Sequence, residues 1–337
     1  MNNKDYSISI IRLISMIMII SCHILQGLNN NFAFWINTGV QLFFFVSGFL
    51  YGKKKISNIK EFYKKRMEKI LFPYIIVFII SLLLEFVLLK RQYSLKKIFG
   101  CIIGFGGFTG NISILSHTWF VSYILLCYIL VPVLQILFKT NKFKKNFMYF
   151  LIFMFFMQLF QEYGIVNIEI SWINNFIIGY FYSKCCKTIK QDKTFVFFIF
   201  ISFLLIIPYA IIYQEKIPIL LPNIFNLHAK IITNYGHVML GSVLFIILYK
   251  TISKFNIKNN IVFSFSDKYS YYIYLVHQIF ILNSFSVLFL TKNLFINIVL
   301  IILLSIFFAV IIKKICDILL AGLRYLYDKS TVLFKNI

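Results

Sequence analysis

Arg12 and His23 are the residues of this chain best suited to chemistry. Both lie in SISIIRLISMIMIISCHILQGL, a stretch long and apolar enough to cross a bilayer. An ionisable group inside a span is costly and usually faces a cavity or a partner. Eleven residues at about 100° each bring a helix back to within roughly 20° of its start, about 16 Å further along. Arg12 and His23 therefore share one face at different depths, with Ser15 and Gln26 close to it. This predicts an inward polar stripe. Histidine suits proton transfer because its pKa lies near operating pH, and it can also carry an acyl group covalently. Arginine can bind phosphate or keep the stripe polar. A plainer reading stands beside this one: Arg12 snorkels to the interface and His23 packs. Cys22 adjoins His23 but points about 100° away, which suits a small packing residue better than a Cys–His pair.

The elements that must position these residues are membrane helices. Of the 337 residues, 60% are hydrophobic, and mean hydropathy is +0.85, far above soluble proteins. Apolar runs recur along the whole chain, so residues 1–337 read as a single integral-membrane domain. No small-residue cleavage site follows the first segment, so no signal peptide is expected. Cys22, Cys101, Cys127, Cys185, Cys186 and Cys316 show no metal spacing. Neither a metal nor a disulfide framework is expected.

The expected fold is all-α, a polytopic protein with about ten transmembrane helices. The windows are 7–28, 33–52, 70–89, 118–138, 147–163, 169–184, 195–213, 229–249, 269–290 and 294–313. The net charge of +23 follows topology and does not indicate nucleic acid. Loop 53–69 carries Lys53, Lys54, Lys55, Lys60, Lys64, Lys65, Arg66 and Lys69. Loops near 139–145, 184–193 and 250–268 are also basic, and the alternate loops hold far fewer cations. The positive-inside rule then places both termini in the cytoplasm. Basic loops of this kind can bind anionic lipid or phosphate.

Five blocks occur in order: R12-LISMIMIISC-H23, FFFVSGFLYGKK at 43–54, FYKKRMEKILFPY at 62–74, HTWFVSYILL at 117–126 and YSYYIYLVHQIF at 269–280. In order and spacing they resemble the acyltransferase-3 family of integral-membrane acyltransferases. Two departures are visible. Lys69 stands where the family has the second arginine of RxxR, which keeps a charge but loses the bidentate guanidinium. Tyr123 stands where many members place an acidic residue after the tryptophan.

The resemblance implies a membrane acyltransferase that moves an acyl group, most often acetyl, from cytoplasmic acyl-coenzyme A to a hydroxyl of a surface or lipid-linked glycan. It implies His23 and Arg12 as catalytic, Arg66 and Lys69 as holding coenzyme phosphates, and acetyl-coenzyme A as co-substrate. His117, Trp119 and Glu162 are the expected acceptor contacts, towards the outer face, and Glu162 reads equally well as a span end meeting water. Trp119 reads equally well as an interfacial anchor, and His277 as a structural hydrogen-bonding residue. The expected setting is a bacterial plasma membrane, with lipid, glycan and coenzyme as partners and no nucleic acid. The glycine-rich GFGGFTGN at 104–111 follows no strand and reads as a flexible or re-entrant connection. The rival reading is a transporter or flippase for a lipid-linked glycan. That would call for paired, broken half-repeats, which the sequence does not display.

Overall fold

The computed structural model describes residues 5–139, 143–165, 168–185, 223–255, 257 and 260–335. Every regular element among them is helical. In chain order these are α1 (Tyr6–Gly27), α2 (Ala33–Ile36), α3 (Thr38–Gly52), α4 (Ile59–Arg66), a π-helical segment (Met67–Leu71) and α5 (Phe72–Leu89). Then follow α6 (Leu95–Ile102), α7 (Gly106–Thr109), a 3-10 turn (Ser113–Thr118), α8 (Trp119–Leu137), α9 (Phe143–Glu162) and α10 (Ile170–Cys185). The last are α11 (Asn223–Ile252), α12 (Ile261–Val276), a 3-10 turn (His277–Phe280) and α13 (Leu294–Lys335).

Six stretches among the described residues are long and apolar enough to cross a membrane: Tyr6–Gly27, Ala33–Gly52, Ile59–Leu89, Ser113–Leu137, Asn234–Ile252 and Leu294–Leu326. The protein is therefore a multi-pass, all-helical membrane protein. The window 195–213 lies outside the described residues. The windows 147–163 and 169–184 correspond to α9 and to the shorter α10. One window is redrawn. The helix expected over 269–290 begins at Ile261 and stops at Val276. Beyond it the backbone turns back on itself. Asn283 donates to the carbonyls of Ile114 and Gln278, and Ser286 donates to that of Ile281. Such polar side chains compete with a helical ladder for backbone groups.

The chain divides into two compact units, Met1–Tyr63 with Tyr123–Ser266, and Lys64–Ser122 with Asp267–Ile337. In the first unit α3 is the central element, packed by α1, α10 and α11. Glycine sets how closely α3 and α10 approach. A Cβ at Gly48 would overlap the carbonyl of Phe176, and one at Gly179 would overlap that of Phe45. Small residues let membrane helices touch backbone to backbone, where van der Waals contact replaces the hydrophobic drive that lipid does not supply. Polar ties add to this. Ser15 donates to the Gly39 carbonyl at 2.6 Å, and Asn175 donates to the Val238 carbonyl at 2.9 Å.

In the second unit α5 and α13 pack together, and α6 with α7 forms a short ordered pair. The glycine-rich connection is folded: the Gly107 amide donates to Ser122 Oγ at 2.8 Å, and Gly104 and Gly110 take positive φ that a side chain would resist.

Candidate functional site

The first unit fixes the polarity of α1. Its N-terminal cap Asp5 accepts from the Tyr249 hydroxyl at 2.9 Å and lies 3.9 Å from the Lys53 ammonium. Lys53 also sits over the Phe49 ring at 4.2 Å. The start of α1, the end of α3 and the end of α11 thus meet at one lysine-rich end of this unit. The opposite end of α1 meets α2, where Cys22 Sγ donates to the Ala33 carbonyl at 3.4 Å. Arg12 belongs to the half of α1 nearer the lysine-rich end, and His23 to the half further from it.

The side chains that α1 buries include Ile8, Ile11, Ser15, Ile19 and Cys22. At about 100° per residue, Arg12 and His23 lie together at one edge of that stripe. Both are half-buried, and Ser15 is fully buried. The polar stripe is present, turned partly towards the protein. His23 Nδ1 lies 2.8 Å from Gln26 Oε1. An amide oxygen only accepts, so Nδ1 carries the proton and the lone pair resides on Nε2. That is the tautomer a base or nucleophile needs. Cys22 contributes as a packing residue, its thiol bound to a backbone carbonyl.

Near the same end of α3, His237 Nδ1 lies 3.4 Å from Thr38 Oγ1, and its ring packs edge-on against Phe34 at 4.5 Å. A separate network closes the turn between α9 and α10. Gln161 Nε2 donates to Glu169 Oε2 at 2.8 Å, and the Ile170 amide donates to Gln161 Oε1 at 2.9 Å. The Glu169 amide donates to the Tyr123 hydroxyl at 2.8 Å, and Ser171 donates to Glu169 Oε1. Tyr123 therefore holds the backbone of a glutamate, at a position where the resemblance led one to look for an acid. The side chain of Glu162 lies outside the described residues.

In the second unit, Arg66 ends α4 half-buried and Lys69 is exposed in the π-helical segment. The bonding there runs from i to i+5, so three residues cover less of a turn than in an α-helix. The two cations consequently diverge more than an even helix would allow. His117 is buried, at 2% exposure, and Trp119 is half-buried at the first turn of α8. His117 Nε2 donates to the Tyr274 carbonyl at 2.9 Å, the Tyr274 hydroxyl donates to the His117 carbonyl at 2.7 Å, and the His117 amide donates to Gln278 Oε1. His277 Nδ1 donates to the same Tyr274 carbonyl at 2.7 Å. One carbonyl thus accepts hydrogen bonds from two imidazoles whose rings lie 5.1 Å apart.

A family model described as an acyltransferase domain matches residues 5–314. The chain belongs to the acyltransferase-3 family. No curated protein and no solved structure gives a match. Membership identifies acyl transfer as its chemistry, in a multi-pass membrane setting.

Within this acyltransferase, Arg12, His23 and Glu162 fall in the first unit, and Arg66, Lys69, His117 and Trp119 in the second. Two carboxylates escaped the sequence reading. Glu169 gave a weak signal, an acid immediately before the first residue of α10. Glu85 gave less, one acid within an apolar run. Its side chain is fully buried, accepts the Ile114 amide at 2.7 Å and lies 3.4 Å from Arg91 Nη1. Lys90 makes this possible by taking a left-handed turn, φ 54°, which returns Arg91 to the helix it has just left. Burial pushes the nearby Tyr93 phenol up, and its hydrogen bond to Glu85 acts in the same direction, so Tyr93 stays protonated. Among the described residues no three His, Cys, Asp or Glu side chains gather as a metal site.

Proposed function

We propose that this acyltransferase moves an acetyl group from cytoplasmic acetyl-coenzyme A to a hydroxyl of a membrane-anchored or surface glycan, with His23 as the residue that handles the proton. The observation that carries this reading is the His23–Gln26 bond on the Arg12 face of α1, in a chain whose family performs acyl transfer. The acceptor oxygen attacks the thioester carbonyl, and its proton passes to His23 Nε2. The carbon–sulfur bond then breaks, and the same proton goes to the leaving coenzyme thiolate. An acyl-imidazole route also begins at Nε2, with the acceptor attacking in a second step. Arg12, a guanidinium on the same face, favours the anionic donor or the developing oxyanion.

Arg66 and Lys69 take the coenzyme phosphates, and the lysine-rich loop 53–69 raises their local concentration. Neutralising both should weaken coenzyme binding by roughly 1–3 kcal/mol, the range for losing hydrogen bonds to charged groups, measured by calorimetry on purified protein. Trp119 and, separately, Glu162 are the acceptor contacts of this reading, while His117 holds the start of α8 through Tyr274 and Gln278. The setting is a bacterial plasma membrane, with about ten spans and both termini cytoplasmic. Reporter fusions after Lys65 and after Ile337 should both read cytoplasmic.

The decisive experiment seals labelled acetyl-coenzyme A inside vesicles and supplies glycan on one side at a time. Labelled ester on glycan outside the coenzyme's compartment is the expected result. Label confined to glycan sharing that compartment would sink transfer across the membrane. A glycan that moves without becoming esterified would favour the transporter reading.

A further inference from the structure

A cavity of about 670 Å³ lies within the second unit, between the stretch 64–75 and residues 320–324 of α13. Its size falls within the range of specific ligand pockets. Its walls are sorted by chemistry. Leu71 and Ile75 on one side and Leu323 on the other are apolar, while Lys64, Glu68 and Arg324 are charged. Arg324 donates to Glu68 Oε2 at 2.9 Å.

Both flanking helices change composition at this level. The apolar run of α5 starts at Phe72, and in α13 the cavity residues Leu320, Leu323 and Arg324 follow Lys313, Lys314 and Asp317, the first charges after its apolar run. The cavity therefore lies at the start of one apolar run and beyond the end of the other, on the headgroup side of both. The π-helical segment Met67–Leu71 forms part of its wall. Such segments are rare and frequently mark functional sites.

We propose that this cavity seats one anionic phospholipid, its phosphodiester on Lys64 and Arg324 and the upper part of one acyl chain along Leu71, Ile75 and Leu323. Glu68 occupies one edge of the Arg324 guanidinium, which has five donors and so retains others for phosphate oxygens. The local field is positive. Residues 60–69 hold Lys60, Lys64, Lys65, Arg66 and Lys69 against Glu61 and Glu68. A positive mouth above an apolar wall selects an anionic amphiphile over a zwitterionic one. The seat uses neither Arg66 nor Lys69, the two residues given the coenzyme phosphates above.

The test titrates the purified chain in neutral detergent with dioleoyl phosphatidylglycerol, and separately with dioleoyl phosphatidylcholine, and weighs the intact complex by native mass spectrometry. One phosphatidylglycerol should be retained at concentrations where phosphatidylcholine is not. Lys64→Gln with Arg324→Gln should weaken retention by about tenfold or more, as expected for losing charge-assisted hydrogen bonds. Leu323→Trp, which fills the apolar wall and leaves charge unchanged, should do the same. All three positions are exposed, so circular dichroism and melting should match the wild type, and either folded variant suffices. Equal retention of the two lipids, or unchanged phosphatidylglycerol retention in a folded variant, overturns the proposal. So does displacement of the lipid by acetyl-coenzyme A, which would assign the cavity to the donor. Absence of ester formation by the wild-type protein, with lipid retention intact, would count against the acyl-transfer assignment alone.

Discussion

His23 in the first unit and His117 in the second are held in contrasting ways. His23 is half-buried and bonds Gln26, three positions along its own helix. His117 is buried, and its ring, amide and carbonyl all engage Tyr274 or Gln278, residues some 160 positions away in the chain. A bond to the next turn of the same helix can be lost and remade while the fold stays as it is. A ring stitched to distant backbone cannot change its bonding without disturbing the contacts that close its unit. Under the proposed function, that contrast goes with a chemical role for the first histidine and a constructional one for the second, although both sit in blocks typical of the family.

The largest expected effect tests the chemical half of that contrast. His23→Ala should lower ester formation by about 10²–10⁴-fold, the usual range for a general base, while the protein reaches the membrane at a normal level. Ester content by mass spectrometry and membrane abundance by immunoblot read the two separately. Substantial retained activity would end both the base and the acyl-carrier roles.

His117→Ala should do the reverse. It removes one of the two imidazole donors to the buried Tyr274 carbonyl, His277 keeping the other, at about 0.5–1.5 kcal/mol for the lost hydrogen bond. The thermal midpoint in detergent should fall, with residual activity tracking the folded fraction. If activity vanishes at an unchanged midpoint, the contrast is broken and His117 belongs to the chemistry as well.

The contrast also shows what sequence could and could not convey. The all-helical membrane class was plain from hydropathy, and the Arg12–His23 register followed from helical geometry alone. The family blocks marked Gly48 without saying why; the reason is the backbone of Phe176, which no local pattern reveals. His117 and His277 looked like independent residues, because only the tertiary fold brings both to one carbonyl. The helix expected over 269–290 was misplaced because apolar residues continue past Val276 while Asn283 and Ser286 redirect the backbone. Glu85 stayed hidden because Arg91 reads as a loop cation until the left-handed turn at Lys90 folds it back.

The smallest expected effect sharpens the contrast most. Gln26 Oε1 accepts from His23 Nδ1 and thereby keeps the lone pair on Nε2. Gln26→Ala removes that acceptor, so both tautomers become available and the ring is less well aimed. A hydrogen bond of this kind contributes about 0.5–1.5 kcal/mol net, which corresponds to a roughly 2- to 12-fold fall in rate. Because Gln26 acts through the imidazole and is not placed on the donor, the loss should appear in kcat, with the KM for acetyl-coenzyme A little changed. Gln26→Glu supplies another acceptor and should recover most of the rate, an outcome that simple loss of packing at residue 26 does not produce. An unchanged kcat in Gln26→Ala would mean that the tautomer of His23 is set by another contact, and the local mode of holding that separates it from His117 would then have to be abandoned.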